Sequence, residues 1–358
     1  MTELMPPVDD LLVSEEQDNN LTYFAFAKPQ NGKPHPDVAT LAPTKASIGA
    51  LPELLAGRYR IERLLGAGGM GAVYRARDLL SEQFGEPDPY IALKILSEEF
   101  SATPDASALL YSEFALTRRL RHHNVVRLHS FEVDTVCQRA FITMELMRGL
   151  TLDKLLCERP LGLPWEELRD IALPLLDALA HSHASGVLHG DLKPSNVMLS
   201  EEGVRLFDFG LGHAEAGILP GLPHLSRNRF DAWTPGYAAP ELLEGQPLSA
   251  RADMYALACV LYELAGGKHP FKRLASTEAR LLGLNHTLKA PKQLPRHCWP
   301  ALRAALNFEA GARTTTAAQL RDIMATTSLW RKGWLCMGVI DFCRRTTTAL
   351  KHRRGCST

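Results

Sequence analysis

Residues 188–196 read Leu188-His189-Gly190-Asp191-Leu192-Lys193-Pro194-Ser195-Asn196, an acid, a base and a carboxamide within nine positions. A carboxylate five positions ahead of a carboxamide on a loop sets a proton acceptor beside a metal ligand. Lys193, two positions past Asp191, can neutralise a phosphate arriving there. Twelve residues beyond Asn196 comes Asp208-Phe209-Gly210, after the strand-like segment 204–207, so a second carboxylate stands at a strand end. Asn196 and Asp208 offer two oxygen ligands. Such a set suits Mg2+, or Mn2+ in its place, which keeps water and takes the rest of its shell from nucleotide phosphates.

Upstream, Ile91-Ala92-Leu93-Lys94 puts a lysine inside an apolar strand. That placement is costly unless the ammonium meets an anion, and Glu113 on the helix that follows is the natural partner. A lysine snorkelling at a sheet edge is the alternative. Further back, residues 65–74 read L-G-A-G-G-M-G-A-V-Y, spacing Gly66, Gly68 and Gly71 as G-x-G-x-x-G-x-V between two strands. Glycines let backbone N–H groups approach phosphate oxygens with no Cβ in the way, although a plain glycine-rich hairpin has the same spacing. A dinucleotide-binding turn needs a helix directly after the glycines, and strand texture follows here.

Texture divides the rest of the chain. Strand patterns at 59–65, 72–76, 91–96, 124–132 and 139–146, with a helical stripe at 102–122, describe a small, mostly antiparallel sheet with one helix over residues 58–146. The segment 79–89 reads as a long, acidic, solvated connection between strands. Beyond Leu150 the pattern is largely helical, with Pro174 expected to bend or weaken one helix. Segment 252–265 is apolar nearly all round, which places it in the middle of a domain.

The 358 residues carry 40 Lys+Arg against 40 Asp+Glu. Zero net charge lacks the broad positive field of a general nucleic-acid binder, so no nucleic-acid partner is expected. The balance is a cancellation. Segment 1–57 holds eight acidic residues against three lysines, a net of −5, and reads as a largely unstructured arm in which only the apolar run 21–27 could dock. Segment 329–358 carries seven Lys and Arg against Asp341, a net of +6. No apolar run approaches the ~20 residues of a membrane span, and the start lacks a basic signal region, so the cytoplasm is the expected location. Seven cysteines with no C-x-x-C pair read as reduced thiols.

From about Tyr59 to Leu320 these motifs, with Ala239-Pro240-Glu241, Asp253 and Arg313, fall in the order of the protein kinases, and the chain resembles most the eukaryotic-like (Hanks-type) serine/threonine kinases of bacteria. The resemblance implies an α+β bilobal fold, with a small lobe at 58–146, a hinge near 145–149 and a large lobe at 150–328. It implies ATP as cofactor, with Gly66, Gly68 and Gly71 over the phosphates beside Leu65 and Lys94 on the α/β-phosphates, positioned by Glu113. Val73, Ala92 and Met198 would sandwich the adenine, and Glu145 and Met147 would bond it at the hinge beyond a Met144 gatekeeper. Asp191 would accept the substrate proton, Lys193 would touch the γ-phosphate, and Asn196 and Asp208 would hold the metal. Thr234, bonding Asp191 and Lys193, implies Ser or Thr of protein substrates as acceptor. Glu241 and Arg313 would form a structural ion pair.

Gly190 departs from the family's His-Arg-Asp, whose Arg receives a phosphate on the activation loop. Between Gly210 and Trp233 the only hydroxyl is Ser226, so activity is expected not to depend on loop phosphorylation. Gly190 is also how small-molecule phosphotransferases of the broader fold spell this loop, but those relatives typically lack the glycine cover, Lys193 and the Ala239-Pro240-Glu241 segment. A scaffolding pseudokinase is the third reading, and Thr117, polar where the family is usually apolar, loosens the active arrangement in that case. Two readings of the basic tail are retained: packing against the large lobe, and peripheral contact with anionic lipid or an acidic partner.

Overall fold

The computed structural model describes residues 51–67, 71–97, 101, 106–209 and 233–326, together with two short strands at 24–25 and 213–214. Gly68, Gly210, Ser226 and the tail 329–358 lie outside the described residues.

The small lobe is a seven-stranded sheet in the order β1-β3-β4-β5-β7-β6, with β2 also paired to β3. Its strands are β1 (Phe24–Ala25), β2 (Leu54–Leu55), β3 (Tyr59–Ala67), β4 (Gly71–Asp78), β5 (Tyr90–Leu96), β6 (Leu128–Asp134) and β7 (Arg139–Glu145). All pairs are antiparallel except β1 with β3. Alternation along β5 sorts its side chains between two apolar clusters. Leu93 and Ile95 join Tyr59, Tyr74 and Phe141 on one face, and Ala92 and Leu96 join Val73, Ile142 and Phe114 on the other. Lys94 falls in step with Ala92 and Leu96, which aims it at the helix α2 (Ala106–Arg119).

Gly71 is a packing glycine. A Cβ there would sit 2.3 Å from the Ile95 carbonyl oxygen, so β4 and β5 close only around a hydrogen. Gly71→Ala is expected to destabilise the fold by about 1–3 kcal/mol, the usual range for overpacking. A melting curve superimposable on the wild type would show that the strands part freely.

Two expectations about this lobe need correcting. The connection after β4 is not all solvated loop: α1 (Leu79–Gln83) gives the lobe a second, short helix. Asp78 starts it by accepting from the Leu80 and Ser81 N–H groups while Arg58 grips the same carboxylate at 2.8 and 2.6 Å. The unstructured arm also does not run to 57. Leu55 is fully buried, β2 turns into β3 through Ala56 and Gly57, both at positive φ, and the Ala56 N–H bonds Asp134 at 2.6 Å. Within the arm, Phe24–Ala25 pairs with Gly66 and Ala67.

The large lobe carries β8 (Gly149–Thr151), α3 (Leu152–Glu158), α4 (Trp165–Ala184), β9 (Val187–Leu188), β10 (Val197–Ser200), β11 (Gly203–Leu206) and β12 (His213–Ala214). Then follow α5 (Pro240–Leu243), α6 (Ala250–Gly266), α7 (Ser276–Leu281), α8 (Trp299–Ala305) and α9 (Ala317–Ala325). As its composition predicts, α6 is the central helix, with Tyr255, Leu257, Val260, Leu261 and Leu264 fully buried. Ser249 caps its start, and Gly267 closes it in the left-handed conformation. Helix α4 runs through Pro174 without ending. Its buried face, Leu168, Ala172, Leu175 and Leu179, outweighs the one lost backbone bond, since tertiary packing supplies most helical stability. Among the described residues no helix is long and apolar enough to cross a membrane.

Candidate active site

The catalytic-loop candidate 189–196 links β9 to β10 through a single 3-10 turn at Pro194–Asn196. Asp253, at the first turn of α6 and 1 % exposed, anchors it by accepting from the His189 and Gly190 N–H groups at 2.8 and 2.9 Å and bonding His183 Nε2 at 2.9 Å. Gly190 takes φ 85°, where a side chain is strained. The His189 ring meets the Phe207 carbonyl at 3.1 Å and lies 4.5 Å from the Phe209 ring. Burial pushes its pKa down, so it stands neutral.

Asp191 is held from two sides. Lys193 Nζ donates to Oδ2 at 2.5 Å and the Thr234 hydroxyl donates to Oδ1 at 2.9 Å. The same hydroxyl accepts from Lys193 at 3.0 Å, so the three groups close a ring. Asn196 ties the loop with its amide to the Asp191 carbonyl at 2.8 Å. Burial raises the Asp191 carboxyl above the ordinary range, with Lys193 opposing.

Lys94 reaches both oxygens of Glu113 at 2.7 Å and Asp208 Oδ1 at 2.7 Å, all three groups being nearly buried. Burial alone would lower the Lys94 pKa, but Asp208 and Glu113 lift it above the usual ammonium range. Burial likewise pulls Asp208 upward, yet Lys94 holds it below the normal carboxylate range. For Glu113 burial prevails and the pKa rises. Asp208 sits at φ 65°, a left-handed backbone rare outside glycine.

Two lysines face three carboxylates, so the cleft holds one negative charge in excess. Asp208 Oδ2 and Asn196 Oδ1 have no protein partner among the described residues, and these residues hold no group of three or more His, Cys, Asp or Glu able to bind a metal. Two free oxygens beside excess negative charge fit a hard cation that draws its remaining ligands from water and phosphate.

Leu65, Val73, Ala92, Met144, Met147 and Met198 come together in one apolar cluster that spans both lobes. This is the slot the sequence reading assigned to adenine. Gly66 lies near the end of β3, Gly71 opens β4, and Gly68 is outside the described residues. At the hinge the Glu145 N–H bonds the Arg127 carbonyl at 3.0 Å and its side chain accepts from the Arg127 N–H at 2.8 Å, which fixes the end of β7. Sequence reasoning gave Asp253 no task, although a lone acid opening an apolar helix was a usable signal.

The sequence matches the family model described as Protein kinase domain over residues 59–325. It is 33% identical over 263 residues to the serine/threonine-protein kinase PkaA of Streptomyces coelicolor, covering 70% of this chain and 46% of that protein. It is 31% identical over 258 residues to PknA of Mycobacterium tuberculosis, covering 71% of this chain and 56% of that one. The chain thus spans about half the length of these relatives. The crystal structure of the Mycobacterium tuberculosis PknI kinase domain superposes with a TM-score of 0.55 at 26% identity, covering 77% of this chain and 98% of that one.

Proposed function

We propose, because this chain belongs to the protein kinase family, that it is a serine/threonine protein kinase transferring the γ-phosphoryl group of ATP to Ser or Thr hydroxyls of proteins. The single observation carrying the reading is the ring of Asp191, Lys193 and Thr234. It fixes an acceptor carboxylate and a donor ammonium side by side in a cleft whose other end holds the Lys94–Glu113–Asp208 cluster.

Asp191 orients the incoming hydroxyl and takes its proton as the new O–P bond forms and the bond to the β-phosphate oxygen breaks. Lys193 faces the charge that develops on the transferred group. Lys94, kept charged and aimed by Glu113, holds the α/β-phosphates, and the apolar cluster around Ala92 and Met198 takes the adenine. Bound at Asn196 and Asp208, Mg2+ supplies neutralisation of the phosphate charge.

Gly190 leaves no guanidinium beside Asp191 to receive a loop phosphate, so turnover is proposed to be independent of phosphorylation in 210–232. Radiolabel from ATP is expected in Ser/Thr protein substrates and not in an aminoglycoside panel, at an equal rate after phosphatase treatment. Label in the aminoglycosides alone would move the assignment to a small-molecule phosphotransferase. A tenfold loss on dephosphorylation would refute the independence.

A further inference from the structure

A cavity of about 770 Å³ opens between the last turn of α2, the loop leading to β6, and the β10–β11 turn. Of the residues assigned to the cleft it includes only Glu145. Its volume falls within the ~300–1,000 Å³ typical of small-molecule sites.

Four arginines line it: Arg118, Arg121, Arg127 and Arg205. Arg205 is committed, pairing with Glu202 at 2.7 Å and Glu145 at 3.7 Å, which are also the cavity's two carboxylates. Arg118, Arg121 and Arg127 have no carboxylate within ion-pair distance among the described residues, and four arginines against two carboxylates leave the cavity wall a formal excess of two positive charges. Last-turn cations suit a helix C-terminus, which accounts for Arg118 but not for Arg127 in the loop beyond.

Thr117 lines the same cavity and is 2 % exposed, so it belongs to the wall and not to the rim.

We propose that this cavity binds a small polyanion bearing several phosphate groups, clamped by the guanidinium groups of Arg118, Arg121 and Arg127. Guanidinium forks suit phosphate oxygens in bidentate geometry, and three of them around a ligand-sized hollow select multiple phosphates over a single carboxylate. Thr117 lies one turn beyond Glu113 on α2, so the bound anion also braces the helix that positions Lys94.

Titration calorimetry on the full chain tests this without reference to catalysis. The buffer is free of Mg2+, holds about 0.15 M salt to screen loose surface charge, and contains adenosine to fill the cleft. Inorganic tripolyphosphate is the probe in one arm and inositol hexakisphosphate in the other, separating a phosphate chain from a phosphorylated ring. Saturable binding is expected in at least one arm. It should weaken at least tenfold in Arg118→Glu/Arg127→Glu. Should the double variant fail to melt cooperatively, Arg121→Gln/Arg127→Gln takes its place. Lys193→Met, which removes a cleft cation, should leave the affinity unchanged. No saturable heat up to about 1 mM, affinity indifferent to the arginine changes, or loss of binding in Lys193→Met would overturn the proposal.

Discussion

Asp191→Asn is expected to lower phosphoryl transfer to a Ser/Thr peptide by about 10²–10⁴-fold, the usual contribution of a positioned general base. The substitution is nearly isosteric. Asn keeps an oxygen for the Thr234 hydroxyl but loses the charge that Lys193 meets at 2.5 Å and the capacity to take a proton. Steady-state turnover measures the loss, and a cooperative melt confirms that the fold survives. A variant retaining a tenth or more of the wild-type rate would remove Asp191 from the reaction.

The same residue sets a pH dependence. Burial holds the Asp191 carboxyl above the ordinary range, and only its deprotonated form accepts a proton, so the rate should fall on acidification at a higher pH than a solvated aspartate would dictate. Thr234 favours the carboxylate by donating to it. Thr234→Val should therefore move the acid limb further up in pH, a displacement that a purely structural role for Thr234 would not produce.

Arg313→Met should be the most damaging change away from the cleft, at about 3–5 kcal/mol, the cost of breaking one side of a buried ion pair. The Arg313 side chain is 1 % exposed, and all five of its N–H donors are used. They meet both oxygens of Glu241 and the carbonyls of Arg251, Asn307 and Phe308, while the guanidinium lies over the Tyr255 ring. Methionine fills the volume but leaves the Glu241 carboxylate and three carbonyls without their donor. At about 2–4 °C per kcal/mol, the melting temperature should drop by roughly 10 °C. Adding Glu241→Met should recover part of the loss, since the stranded charge causes most of it. A drop below about 2 °C in the single variant would mean that the pair is solvated and inconsequential.

Much of the cleft was readable because its chemistry conflicts with its surroundings. Lys94 is a charge in an apolar strand, and period-two alternation sends it toward α2, where Glu113 stands. The spacing from Asp191 to Asn196 is that of a loop whose amide folds back on its own carbonyl. What escaped the reading depends on contacts between distant residues. Helix α1 is too short to carry a period and exists because Asp78 caps it while held by Arg58, twenty residues upstream. The β2–β3 turn hid because one of its two left-handed positions is Ala56 and not a glycine or asparagine. Gly71 was legible as part of a phosphate-binding pattern, but its conflict with Ile95 arises only once β4 lies against β5.

The pairing of β1 and β2 with β3 has a consequence for how the molecule meets copies of itself. An outer strand with unpaired N–H and C=O groups is a template onto which another chain can add, the usual beginning of sheet-mediated aggregation. Here the chain covers that border itself, with Leu54 and Leu55 against Arg60 and Tyr59 at one end and Phe24 and Ala25 against Gly66 and Ala67 at the other. The Ile61 N–H is also taken, by the Glu53 carbonyl at 2.9 Å, so among the described residues the stretch left between them, residues 62–65, offers a foreign strand a foothold closed at both ends, and the segments flanking the catalytic body also act as its guard against strand addition.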